Sequence, residues 1–281
     1  MTEEQVRDFW EHHPCGDMQA GGLSQYGGDY EAFFTQYDRL RYQREGHILA
    51  ALDAIDLKGK RVLEIGLGQG ADSEQIVRRG ALWSGLDLTP ESVARVQTRF
   101  SLRQLPYESL KQGSVLGIPH QDASFDIVLS HGVLHHVPEI LKAQREVHRV
   151  LRPDGELIVM LYARRSLNYL VSISVIRRLA LTALYLTGRR PGGMLGQHID
   201  NARAVGLAHY LRMENFIHRN TDGPLNPYSK VYDLAEVAKD FPKFKIVRSY
   251  QLFSHAPPLP VSRLPLGRLL GWHLWVHMRP L

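Results

Sequence analysis

The apolar run Val62-Leu63-Glu64-Ile65 stops at Gly66-Leu67-Gly68-Gln69-Gly70, and a helical pattern opens directly behind it. A short run without polar alternation suits a strand covered by helices on both faces. Glycines at its exit let the backbone approach a ligand closely and reach positive φ. The following run, Leu82–Leu86, leads into Asp87, 21 positions after Gly66. That is close to the ~20-residue spacing at which a strand-end carboxylate meets a ribose diol. A chain carrying this unit is committed to a parallel sheet that binds its ligand beyond the carboxyl ends of the strands.

Further runs at Phe125–Ser130 and Glu156–Leu161 read as strands, with helices at 71–79, 90–103 and 139–150 between them. Thr89-Pro90 reads as an N-cap followed by proline at the first helical position. Arg152-Pro153-Asp154-Gly155 reads as a turn. The expectation is an α/β fold, a doubly wound and mostly parallel seven-stranded sheet with N- and C-terminal lid segments. Phe244–Ser254 and Trp272–Met278 would close it as an antiparallel pair at one edge. Four regions follow: a helical cap over 1–58, a ligand-binding core over 59–162, a helical lid and loop insertion over 163–243, and the strand pair over 244–281. In the cap, Thr2 and Gln5 form a capping box for the first helix, and a second helical stretch runs from Tyr30 to Ile55. In the lid, 164–187 reads as a basic amphipathic helix and 219–229 as a loop.

The 281 residues suggest one large domain with an appended lobe. The single cysteine, Cys15, leaves no intrachain disulfide framework and no multi-cysteine zinc site. The start MTEEQVRDFWEHHP has no apolar run, so no secretory signal is read there, and the expected location is the cytoplasm. Arg177 and Arg178 interrupt the longest apolar stretch and argue against a membrane span. A net charge of +5 is weak support for nucleic acid.

A dinucleotide would bring a diphosphate to this turn, and Glu64 beside the glycines is poor electrostatics for that. A sulfonium compound with a cationic amino group suits the carboxylates better, which favours S-adenosylmethionine over a nicotinamide dinucleotide. The segments VLEIGLGQGADS, GLDLTPESV, SVLGIPHQDASFDIVLSHGVLHHVPE and REVHRVLRPDGELIVMLY follow in order over residues 61–162. In that order they resemble class I S-adenosylmethionine-dependent methyltransferases of the type 11 group, with their Rossmann-like fold. FWEHHPCG, the pair Arg41-Tyr42 and TDGPLNPYSKVY resemble flanking motifs of a bacterial small-molecule subgroup. The resemblance implies that Glu64, Gly66, Gly68 and Gly70 shape the methionine pocket. It implies that Asp87 accepts both ribose hydroxyls and that Leu88 packs on the adenine. Ser114 stands where the family usually has an adenine-contacting aspartate, so backbone around Ser114 and Val115 would share that contact. His131 would lie near the methyl-donor end.

Ser130-His131-Gly132-Val133-Leu134-His135-His136 closes a strand where ligands bind. With no Asp or Glu inside it, the cluster is read as metal-free. One histidine of the pair is read as structural; His131 is the leading catalytic candidate, and His136 and Tyr42 are the others. His209, His218, Arg219 and Asp222 are polar candidates from the lid. The chain lacks the Asp/Asn-Pro-Pro-Tyr of amino-methylating DNA enzymes, and Cys15 lies in the wrong region for a pyrimidine-attacking nucleophile. The expected activity is transfer of a methyl group to a small metabolite, on oxygen or nitrogen, by in-line displacement. The alternatives are a non-catalytic S-adenosylmethionine-binding partner protein, or an RNA or lipid methyltransferase. The basic helix at 164–187 reads either as a cap packed on the core or as a peripheral membrane contact. Oligomeric state is not legible in the sequence.

Overall fold

The computed structural model describes residues 1–16 and 20–281. Helix α1 (Glu3–His12) opens on the expected capping box: the Thr2 hydroxyl accepts from the Gln5 N–H, and the Gln5 side chain accepts from the Thr2 N–H. Helix α2 (Tyr30–Glu45) is capped by Asp29 and ends at Gly46, and α3 (His47–Asp53) follows. The stretch expected as one helix is therefore two. A β-carbon at Gly46 would lie 2.9 Å from the Tyr42 carbonyl, a close approach that only glycine tolerates.

Strand and helix then alternate as β1 (Arg61–Ile65), α4 (Ala71–Arg78), β2 (Leu82–Asp87) and α5 (Pro90–Leu102). Next come β3 (Ser109–Gln112), β4 (Phe125–His131), α6 (Ile140–Val150) and β5 (Leu151–Ala163). A helix with wide π-type turns, Asn168–Arg177, runs into α7 (Arg178–Leu186), and α8 (Gly193–Val205) follows. Three single-turn helices lead to β6 (Val231–Tyr232), α9 (Leu234–Asp240), β7 (Phe244–Leu252) and β8 (His273–Pro280). The lid helix thus begins at Asn168, not Arg164, because β5 continues to Ala163. The loop expected over 219–229 is shorter, since His218–Thr221 makes one helical turn.

Seven strands lie in the order β3-β2-β1-β4-β5-β8-β7, and β6 adds an eighth beside β5. Strands β1 to β6 pair in parallel, and β7 and β8 form the expected antiparallel pair. The turn read at Arg152–Gly155 falls inside β5, but the register explains it. Phe125 faces Leu151 and Ile127 faces Glu156, so the four residues between are extruded from the ladder.

Alternate side chains of each central strand serve opposite faces. Leu63, Val128 and Val159 pack under α6 and α9, whereas Val62, Ile127 and Ile158 pack under α3, α4 and α5. A separate apolar cluster around Ile173, Ile199, Tyr210 and Phe216 holds the lid together. The N-terminal cap is fixed by Arg99, which is fully buried over the Phe34 ring. Its guanidinium grips both oxygens of Asp38 on α2 at 2.8 and 2.9 Å, Glu74 on α4 at 3.0 Å, and the Gln69 carbonyl at 2.8 Å.

Candidate active site

A cavity opens where β1, β2 and β4 end, and α1 lies across it with Glu3, Val6 and Trp10 on its wall. This is the carboxyl edge at which open α/β sheets bind ligands. The glycine turn is its floor. Gly66 has φ +80°, and a β-carbon there would stand 2.1 Å from the Val133 side chain. Gly68 has φ +51°, and among the described residues only Cys15 comes within 4 Å of a β-carbon there, at 3.7 Å. Gly70 departs from the expectation: it caps α4 at φ +75° and faces Val96 and Arg99 instead of the cavity. Cys15, which its sequence position set apart, lines the cavity beside Gly68.

Glu64 is 2% exposed and accepts from the Trp83 indole N–H at 2.8 Å. Burial pushes its carboxyl up to about 8. Asp87 ties the turn to the end of β2: one oxygen accepts from the Leu67 N–H at 2.7 Å, the other from the Thr89 N–H and hydroxyl at 2.8 Å each. Burial raises Asp87 above the usual carboxylate range, against the pull of these hydrogen bonds. Leu88 and Val115 line the cavity. Ser114 does not: its hydroxyl donates to Glu3 and accepts from the Leu116 N–H at 2.9 Å, so its side chain locks α1 onto the β3 exit instead of facing a ligand.

His131, the last residue of β4, is stacked on Trp275 at 5.1 Å. Its Nδ1 lies 3.1 Å from Asp72 and 3.2 Å from the Arg41 guanidinium, while Nε2 is buried without a hydrogen-bond partner among the described residues. Arg41 grips both oxygens of Asp72, one at 3.1 Å and the other at 2.5 Å. Burial would raise the Asp72 acid, but Arg41 and His131 override it and hold the carboxyl well below its usual range. Tyr42 also departs from the catalytic expectation: its hydroxyl donates to Asp72 at 3.1 Å and is not on the cavity wall. Asp72 itself, in the first turn behind the glycines, was missed by sequence reasoning, although its place beside the ligand turn was a signal.

The paired histidines divide their roles. His135 is fully buried against Tyr162 at 3.9 Å between ring centres, and burial with its histidine neighbours keeps it neutral. His136 lines the cavity, with Trp10 edge-on at 5.0 Å. Its Nδ1 donates to the Tyr228 carbonyl at 2.7 Å, which leaves the lone pair on Nε2 when the ring is neutral. Nε2 faces Asp222 Oδ2 at 3.5 Å, and both atoms are buried without a hydrogen bond among the described residues. Tyr162 donates to the other Asp222 oxygen at 2.7 Å.

The other lid candidates lie elsewhere. His209 bonds Asn215, His218 bonds the backbone of Ser229, and Arg219 covers the Tyr210 ring.

Residues 63–159 match the family described as methyltransferase domain. Over 105 residues the chain is 35% identical to a phthiotriol/phenolphthiotriol dimycocerosates methyltransferase of Mycobacterium leprae, covering 37% of this chain and 38% of that one. A ubiquinone biosynthesis O-methyltransferase of Acinetobacter baylyi is 29% identical over 188 residues, 64% of this chain and 73% of that one. The chain thus spans well under half the length of the mycobacterial relative. An S-adenosylmethionine-dependent methyltransferase from Mesorhizobium loti superposes with a TM-score of 0.54 at 17% identity, over 84% of this chain and 97% of that one. Shared order, turn and sheet make residues 63–159 a methyltransferase domain, carried on the class I, Rossmann-like methyltransferase fold.

Proposed function

We propose that the protein transfers a methyl group from S-adenosylmethionine to the oxygen or nitrogen of a small metabolite. The observation that carries this reading is one cavity walled by a carboxylate-flanked glycine turn and by His136, whose ring is backed by Asp222 outside the cavity wall. The glycine turn fits the cofactor. Glu64 is a buried acid held up by desolvation, and a cationic amino group beside it would restore its ionised form. Gly66 already touches Val133 so closely that no side chain fits, and the bare backbone of the turn suits close approach. Asp87, Leu88 and Val115 would hold the ribose and adenine. Bound there, the cofactor supplies a methyl group on a positively charged sulfur that an acceptor lone pair displaces.

The chain's own work is alignment, dryness and proton removal. Helix α1 covers the cavity and sets Trp10 against His136. The proton of an acceptor O–H or N–H would pass to the His136 imidazole, which lines the cavity, as the nucleophile engages the methyl carbon. Asp222, oriented by Tyr162, offsets the positive charge formed on the imidazole. A thiolate or stabilised carbanion would need no such base, so the pair favours proton-bearing acceptors. The Acinetobacter relative is by its name an O-methyltransferase, in keeping with this choice.

Calorimetric titration tests the cofactor end. S-adenosylmethionine should bind and NAD should not; tight NAD binding with none of the sulfonium compound would reverse the assignment. Asp87→Ala removes two charge-assisted hydrogen bonds to the ribose and should weaken cofactor binding by about a hundredfold or more. Unchanged affinity would refute the ribose contact.

Glu64 gives a separate readout. Below about pH 8 its carboxyl is protonated in the free protein, whereas the cationic amino group demands the carboxylate. Binding at about pH 6.5 should therefore release close to one proton, and affinity should rise as pH climbs toward 8. Titrations in two buffers of different ionisation enthalpy measure the proton count, and Glu64→Gln should abolish it. A wild-type protein that releases no proton would remove Glu64 from the contact.

A further inference from the structure

The lid carries a surface that the methyl-transfer reading does not use. The run from Asn168 to Leu186 is the one helix among the described residues that is long and apolar enough to cross a membrane by length and composition. Its packing argues for a different posture. Ile173 and Leu181 are buried in the lid cluster, and Arg177 at its centre is tied to the Asn220 carbonyl at 2.7 Å and the Pro257 carbonyl at 3.3 Å. One side of the helix is thus fixed to the protein.

The other side faces out. Leu170, Val175, Leu179 and Leu186 are 48%, 47%, 66% and 75% exposed. Their spacings of five, four and seven follow the wide π turns and then the α turns, so they form a single stripe. Met194 and Leu195, at the start of α8, are exposed as well. Contiguous apolar surface of this kind is uncommon on a soluble monomer and marks an interaction site.

Charge names the partner. Residues 163–281 carry 17 Lys and Arg against 6 Asp and Glu, whereas residues 1–162 carry 17 against 23. The modest net charge of the whole chain conceals a basic C-terminal part, lid and strand pair together, behind an acidic N-terminal part. From 163 to 205 there are seven arginines and a single acid, Asp200, which is paired with Arg190. After Asp240 no acidic residue occurs. An exposed apolar stripe flanked by arginines fits an anionic bilayer, where the apolar side chains enter the acyl boundary and the guanidinium groups meet phosphate.

We infer that the Asn168–Leu186 helix docks the protein flat on an anionic lipid surface. This inference stands apart from the methyl-transfer reading, since it uses no residue of the cavity.

Co-sedimentation of the full chain with vesicles tests it, using equimolar phosphatidylglycerol and phosphatidylcholine against phosphatidylcholine alone. At about 0.05 M salt the protein should pellet with the anionic vesicles, and at about 0.5 M the bound fraction should fall several-fold as charges are screened. Leu179→Glu with Leu186→Glu should weaken binding about tenfold or more at either salt while leaving the circular dichroism spectrum unchanged. Arg189→Ser with Arg203→Ser should weaken binding at low salt only, and provides the test if the first variant does not fold. Absence of wild-type binding to anionic vesicles at low salt would overturn the inference. So would wild-type binding by both variants, or light scattering that shows a dimer which the leucine variant dissociates, since a second copy would then cover the stripe.

Discussion

Arg99→Met is expected to cost about 3–5 kcal/mol of stability, the range for breaking a buried ion pair by removing one partner. The substitution keeps much of the side-chain volume, so the loss reports charge and hydrogen bonds more than a void. Glu74 is 4% exposed and Asp38 is anchored to Arg99 through both oxygens, so the change strips partners from two carboxylates at once. Arg103 also reaches both acids, which limits the damage without replacing the fork on Asp38. Arg99→Lys should recover only part of the loss, because an ammonium cannot reproduce the paired contact. Urea unfolding followed by circular dichroism measures this, and a shift below about 1 kcal/mol would show that the clamp is dispensable. Because Arg99 also holds the Gln69 carbonyl, the same variant should bind cofactor more weakly.

His136→Asn should lower kcat by about 10²–10⁴-fold on a hydroxyl or amine acceptor while leaving cofactor affinity within about twofold. Asparagine retains a donor for the Tyr228 carbonyl but offers no base in place of the imidazole. Asp222→Asn should lower kcat by about tenfold or more with the imidazole still in place, since an amide does not offset the imidazolium charge. Single-turnover kinetics with saturating cofactor would separate the two ends of the cavity. An unimpaired His136→Asn enzyme would show that this histidine serves packing alone.

The parts of the fold that the sequence displayed are those governed by local rules. Strand β1 ends at Ile65, where the apolar run stops, and the caps at Thr2 and Thr89 form as read, because each depends on neighbours within a few residues. Strand β3 was hidden because Ser109, Lys111 and Gln112 give an edge strand no apolar run, and β6 because two residues carry no period. The extruded residues at Arg152–Gly155 look like a turn because they leave the ladder as a bulge, and only the pairing with β4 assigns their neighbours to a common strand.

At the site, Glu64, Asp87 and the glycines announce themselves through strand ends and spacing. Asp222 stood among several polar residues of a loop, and nothing local joins it to His136, 86 positions earlier. The lid cluster brings them together. Ser114 and Tyr42 occupy suggestive positions, yet Glu3 and Asp72 claim their hydroxyls.

Strand β8 lies between β5 and β7, and its Trp275 supports the ring of His131. During synthesis on the ribosome this inner strand emerges after both of its neighbours. Until it arrives, β5 presents an open edge with unpaired peptide groups, the kind of surface that recruits foreign strands. The support beneath His131 is therefore completed only after both strands that flank β8 have emerged, and nascent chains halted before residue 273 should need chaperone protection to stay soluble.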